Sequence, residues 1–330
     1  MNNWKPTRRF VSLALASAVA ATLSVPAGAQ SSYPDKPITL IVPFDAGGTA
    51  DLVGRIMAKE LGDRVGQTVI VENKPGSGGS IGTAEVKEAA ADGYTILLGT
   101  IATHALNAAV YSDLPYDPIT DFAPIIEFGS VPYFLVVNAK LGPKTFPEFI
   151  EYAKKQERPL TYGSAGVGTA NHLAGAFLAS AEDFQAVHVP YRGGAAAITA
   201  LLGGETTYMF YPHLPLLSHI QAGTLLPLAV TSKDRVSSLP DVATLGELGV
   251  KDFELSGWFG VYAPAGTPDE IVAKLQSVLS DIIKTDSVRE SLVAQGVDPV
   301  SGTSEDLANI MKADIERWRP VVEAVGARQQ

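Results

Sequence analysis

One short phrase occurs twice in this chain, and that repetition limits its fold more than any other feature. AGGTAD at 46–51 follows the apolar run ITLIVPF, which begins at Ile38, and AGVGTAN at 165–171 follows PLTYGS. ITLIVPF is continuous and not alternating, the pattern of a strand buried on both faces of a parallel sheet. Behind each phrase lies a helical pattern: Leu52, Ile56, Met57 and Leu61 share one face, and Leu173, Phe177 and Leu178 share another. A second strand follows in both places, TVIV from Thr68 and AVHVPY from Ala186. A strand–turn–helix–strand unit is therefore expected twice.

The remaining segments extend the same plan. TILLGT at 95–100 and FAPIIEFG at 122–129 complete a first set of strands. YFLVVNA and the helix FPEFIEYAKK lead into a second set, where RGGAAAITALLGG, TYMFY, HLPLLSHIQAG and LLPLAVTS alternate between helix and strand. After these come the strand WFGVYAP and two amphipathic helices, one carrying Ile271, Leu275, Val278, Leu279 and Ile282, the other Leu307, Ile310, Met311 and Trp318. The prediction is an α/β protein with two doubly wound parallel sheets. If the closing strand and helices return to the first sheet, the domains are 30–131 with 252–330, and 132–251. The chain then crosses between them near Val131 and near Phe253, a two-segment hinge.

Residues 1–29 read as an export signal: a basic head MNNWKPTRR, an apolar middle FVSLALASAVAATLSV and the cleavage triplet Ala27, Gly28, Ala29. Thr7, Arg8 and Arg9 hint at twin-arginine export, but Ser12 interrupts the apolar pair expected after them, so both export routes stay open. Cysteine is absent, which excludes disulfides, thiolate metal sites and a lipid-anchoring cysteine. The net charge of −10 becomes −13 once Lys5, Arg8 and Arg9 leave with the signal. A nucleic-acid partner or an acidic membrane surface is thereby disfavoured. The expected location is the periplasm.

A glycine-rich turn that ends a parallel strand and opens a helix leaves backbone N–H groups converging on the positive end of the helix dipole, where an anion is welcome. Gly47, Gly48, Gly166 and Gly168 admit close backbone approach, while Thr49 and Thr169 can cap the helix or donate a hydroxyl to a bound group. Two such cradles at the carboxyl ends of two facing sheets suit a small molecule with a carboxylate at each end. The candidate set is Phe44, Ala46, Gly47, Gly48, Thr49 and Asp51 in the first turn, and Ser164, Ala165, Gly166, Thr169 and His172 in the second. Gly78, Gly79, Thr100, Arg192 and Tyr211 complete it. Asp51 serves either as an acid at a helix start or as an acceptor from a ligand, and His172 either packs locally or donates. Arg192 is the one well-placed cation.

Catalytic and cofactor chemistries find little support. The second turn lacks the Gly-Lys-Ser/Thr of a phosphate loop, and Asn171 breaks dinucleotide spacing. Tyr162 stands where a hydrolase elbow around Ser164 would need glycine. The five histidines form no metal-binding array. No cofactor, no metal and no enzymatic activity are expected; a hydrolase or lyase on the same fold is the competing class.

The phrases YPDKPITLIVPFDAGGTADLVGR, VIVENKPGSGGSIG, DGYTILLG, LPYDPITDFAPI, LTYGSAGVGTANHLAG, HVPYRGG and SGWFGVYAPAGTP resemble the Bug family, the TctC-type solute-binding receptors of tripartite tricarboxylate transporters. The resemblance covers the whole mature chain. It implies a monomeric, two-lobed periplasmic binding protein of the type II fold that closes on a carboxylated solute and presents it to a large and a small membrane subunit; delivery to a signalling sensor is the alternative. It also implies carboxylate contacts from 44–49 and 164–169. Where the family commonly has aspartate after Met-Phe, this chain has Tyr211, which with Tyr133 and Phe44 suits a larger or aromatic diacid.

Overall fold

The computed structural model describes Met1 and residues 33–236, 239–251 and 253–328. The export signal expected over 1–29 lies outside the described residues, Met1 excepted. The chain divides into two compact units, Met1–Asp35 and Lys36–Gln330, and every strand and helix among the described residues belongs to the second.

That unit contains two five-stranded sheets. The first holds β1 (Ile38–Val42), β2 (Val69–Asn73), β3 (Thr95–Thr100), β4 (Phe122–Gly129) and β10 (Phe259–Pro264) in the order β2-β1-β3-β10-β4. The second holds β5 (Tyr133–Asn138), β6 (Leu160–Ser164), β7 (Ala186–Pro190), β8 (Tyr208–Pro212) and β9 (Leu225–Val230) in the order β7-β6-β8-β5-β9. The helices are α1 (Thr49–Val65), α2 (Ser80–Lys87), α3 (Asn107–Val110), α4 (Phe146–Lys154), α5 (Ala170–Ala181), α6 (Gly194–Gly203) and α7 (His213–Gln221). After β10 come α8 (Asp269–Ile283), α9 (Asp286–Ala294) and α10 (Ser304–Ala324).

The two sheets share one topology, and it corrects the expectation of purely parallel sheets. In each, the strand next to the last is antiparallel to both neighbours: β10 between β3 and β4, and β5 between β8 and β9. Both inserted strands begin just after the chain has crossed from the other sheet. A strand buried on both faces reads as the same apolar run in either direction, so direction is set by the path of the chain and not by composition. A second correction is α9, a third closing helix whose two buried apolar residues, Val288 and Leu292, are too few to show a periodic face. Unassigned from the sequence is the π-helical turn Ala102–Leu106 running into α3.

The two crossings run side by side. Val131 N–H donates to Gly257 O at 3.2 Å and Gly257 N–H returns to Val131 O at 2.9 Å. From behind, α10 fastens the second crossing: Asp314 accepts from the Trp258 indole at 2.8 Å, and Arg317 bonds both Asp314 and the Glu254 carbonyl at 2.8 Å. Trp258 and Trp318 are buried, each contributing about 2–3 kcal/mol by the area it removes from water. Phe253 packs on Phe177 and Phe210 of the second sheet's half, with centroids 4.8 and 5.4 Å away. Both halves thus share packing behind the crossings, and their strand ends are left to form the cleft.

Candidate ligand-binding cleft

The two repeated turns leave the carboxyl ends of β1 and β6 and open α1 and α5. Gly48 is the N-cap of α1 and Thr169 that of α5, and no side chain caps either helix. In α4 and α10, by contrast, the hydroxyls of Thr145 and Thr303 accept from backbone N–H groups of the first turn. The first amides of α1 and α5 therefore keep both their donors and the positive end of the helix dipole unspent.

Two adjoining chambers, of about 350 and 390 Å³, lie between the sheets. Thr169, Ala170 and Asn171, at the start of α5, line the first; Gly48, Thr49 and Ala50, at the start of α1, line the second. Their common waist is Phe44, Ile101, Ala102, Tyr133, Tyr211 and Pro212. At the rim the halves touch, since a Cβ added at Gly168 would lie 3.4 Å from Val110 Cγ1. Gly168 also has φ +78°, which a β-branched residue would resist.

Each turn is braced from behind by its own polar side chains, and the braces differ. In the first, Asp51 accepts from Gly47 N–H at 2.8 Å and from Arg55 Nε at 3.0 Å, with Arg55 Nη2 2.9 Å from its other oxygen. Asn73 donates to Phe44 O at 3.1 Å. The bond from Arg55 holds the Asp51 carboxyl below its usual pKa, against the opposing effect of burial. The second brace carries no charge. Gly168 N–H donates to His172 Nδ1 at 3.1 Å and Gly166 N–H to Ser164 Oγ at 3.0 Å. Gly166 O accepts from Thr169 Oγ1 at 2.6 Å and from Ser164 Oγ at 3.0 Å. His188 Nε2 lies 2.5 Å from Ser164 Oγ. With the single serine proton on Gly166 O, His188 is the donor in that pair and holds the serine without acting as a base toward it. The His172 and His188 rings stack at 3.8 Å, and burial depresses both to about 4. His172 must be neutral to accept from Gly168.

Of the residues expected from sequence, Phe44, Gly48, Thr49, Gly78, Thr100, Ala165, Thr169 and Tyr211 line the chambers. Ala46, Gly47, Asp51, Gly79, Ser164, Gly166, His172 and Arg192 do not line them. Asp51, Ser164 and His172 are buried braces; Thr169 spends its hydroxyl proton within the turn; and Gly79 lies beneath Thr103, whose Cγ2 would sit 2.6 Å from an added Cβ. Arg192 is exposed. At the start of α6, which that arginine precedes, the Tyr211 ring lies against Gly194, where an added Cβ would come 1.7 Å from the phenol oxygen. The chambers also take in Ile101, Ala102, Leu106, Asn107, Val110 and Tyr111, and, far away in sequence, Gln295 and Gly296. Asn107 Nδ2 donates to Gly78 O and Ser80 Oγ at 3.1 Å, so this stretch also fixes the glycine turn before α2.

Residues 53–327 match the family described as tripartite tricarboxylate transporter family receptor, and the chain belongs to that family of solute-binding receptors. It is 34% identical to Protein BugT of Bordetella pertussis over 309 residues, covering 93% of this chain and 94% of BugT. Among solved structures, R. palustris Rpa4515 with adipate is 35% identical, with a TM-score of 0.75, covering 89% of this chain and 98% of that one. MatC from Rhodopseudomonas palustris with bound malate is 30% identical, with a TM-score of 0.71, covering 88% and 100%. The architecture is the two-lobed periplasmic binding protein fold, shared also with the periplasmic binding protein BugD.

Proposed function

We propose that this chain is a periplasmic receptor that captures a carboxylated small molecule between its lobes and delivers it to the membrane subunits of a tripartite transporter, without transforming it. The observation that carries this reading is the pair of uncapped helix starts, α1 in one chamber and α5 in the other, meeting across a common waist. Each supplies N–H donors and about half a positive charge, enough to hold a carboxylate without a cation. Relatives with adipate and malate bound support a carboxylate as the ligand. The lobes correspond to 30–131 with 252–330 and to 132–251, joined at the paired crossings, which act as the hinge. Thr49, Ala50, Thr169, Ala170 and Asn171 contact the carboxylates, while Asp51, Ser164 and His172 hold the turns in place.

Thermal-shift screening of the purified mature chain against mono-, di- and tricarboxylates checks this. At least one carboxylate raises Tm by several degrees at millimolar concentration. A response to sugars or cationic peptides, with none to carboxylates, contradicts it.

A further inference from the structure

The waist shared by the chambers is aromatic and carries no charge, and no Lys, Arg, His, Asp or Glu lines either chamber among the described residues. Three of its six residues are rings, Phe44, Tyr133 and Tyr211; the others are Ile101, Ala102 and Pro212. Both tyrosines are seated on glycine. Tyr211 lies against Gly194, and the Tyr133 ring is 3.4 Å from where a Cβ on Gly257 would stand. Replacing Gly194 would displace the Tyr211 ring, whereas a Cβ at Gly257 would only touch Tyr133. Neither phenol oxygen has a hydrogen-bond partner among the described residues, and burial raises both phenols above their usual pKa, so both remain donors at neutral pH. Among the described residues, positive charge at the chambers comes from helix starts, about half a unit each: α1 and α5 in separate chambers, and the uncapped start of α7 after Pro212 beside the waist.

Such a cavity is poorly matched to a compact polyanion. A hydroxy-di- or tricarboxylate would set charges or hydroxyls against Phe44 and Ile101, where buried polar groups go unpaired at a cost. It is well matched to a flat apolar body with acidic groups only at its ends. Resting on the receptor function proposed for the same cleft, we infer that it selects an aromatic carboxylate, its ring held at the waist by Tyr133, Tyr211 and Phe44 and its carboxylate or carboxylates at the starts of α1 and α5. Tyr211 is then a specificity-determining residue: its ring offers a face for stacking.

Calorimetry on the full mature chain tests this with five probes: benzene-1,4-dicarboxylate, trans-cyclohexane-1,4-dicarboxylate, hexanedioate, malate and citrate. The aromatic diacid binds at least tenfold more tightly than its saturated ring counterpart and more than a hundredfold more tightly than malate or citrate. Tyr211→Leu removes most of the aromatic-over-saturated preference, Tyr211→Phe keeps it, and Gly194→Ala, which displaces the ring without removing it, weakens the aromatic ligand about tenfold. A preference below threefold in the wild type, or a preference left intact by Tyr211→Leu, overturns the inference. Tighter binding of malate, citrate or hexanedioate than of the aromatic diacid also overturns it but leaves the carboxylate receptor standing; binding of none of the five, with no carboxylate active in the thermal screen, overturns both.

Discussion

The first and second turns reach the same backbone result by different chemistry. Each presents uncapped helix amides to the cleft, and each is stiffened by an acceptor four residues beyond the glycine it holds: Asp51 for Gly47, His172 for Gly168. The acceptor in the first turn is a carboxylate paired with Arg55; in the second it is a neutral imidazole backed by His188 and Ser164. A permanent charge tolerates acid down to the carboxylate's own protonation, whereas a neutral imidazole is lost at higher pH. The two lobes should therefore differ in how they fail.

The largest effect is expected at the charged brace. Asp51→Ala leaves Gly47 N–H and Arg55 without their acceptor, and affinity for the carboxylate most active in the thermal screen should fall about thirtyfold, roughly 2 kcal/mol. Asp51→Asn, which keeps an acceptor for Gly47, should lose much less. Calorimetry on both variants separates the hydrogen bond from the charge, and equal losses would break the comparison.

A pH series sharpens it next. The depressed imidazole of His172 stays neutral in the folded chain while the unfolded chain takes up a proton near pH 6.5, so stability declines as pH falls from about 6.5 through about 4. His172→Gln should remove a part of that decline worth about 2 kcal/mol. The depressed Asp51 carboxyl does the reverse of a buried acid: its contribution is complete above the unfolded value of 3.8 and is lost only below it. Asp51→Asn should accordingly alter the Tm profile only in that more acid range.

Glycines provide a smaller test. Gly47 and Gly168 have φ of +84° and +78°, but an added Cβ meets nothing within 4 Å at Gly47 and Val110 at Gly168. Alanine at either costs about 1 kcal/mol of stability for the left-handed conformation, visible as a similar drop in Tm. Only at Gly168 does the added methyl reach the opposite half, in ordinary contact with Val110, so binding should change less than about threefold at either position. The smallest effect is expected for Thr169→Val, which removes one hydroxyl donor to Gly166 O and costs about 0.5 kcal/mol by denaturant titration.

The repeated unit is legible in the sequence because its signals are local: an apolar run, a small-residue turn and an amphipathic helix, each within about twenty residues. The direction of β5 and β10 is not, because no local pattern distinguishes a buried antiparallel strand from a parallel one. In the site, the residues read from the turns divide along a line that sequence does not draw. Thr49 and Thr169 reach the chambers, whereas Asp51, Ser164 and His172 are buried behind the same turns, a division set by the backbone path of the turn and not by residue type. Ala102–Val110 is hidden from a reading by period because a π-helical turn breaks the 3.6-residue spacing by which helices are found. Gln295 and Gly296 come from a turn after α9 that gives no local sign of reaching the second chamber, where Gly296 lies against His213 and Leu214 of α7.

Amide chemical shifts of the isotopically labelled mature chain, recorded on titration with the most active carboxylate, test most directly whether the two helix starts hold the ligand together. If they do, the largest downfield movements fall at Thr49 and Ala50 at the start of α1 and at Ala170 and Asn171 at the start of α5, all saturating at one ligand per chain. Movements confined to one lobe, or centred on the exposed Arg192 with these four amides unmoved, would contradict it.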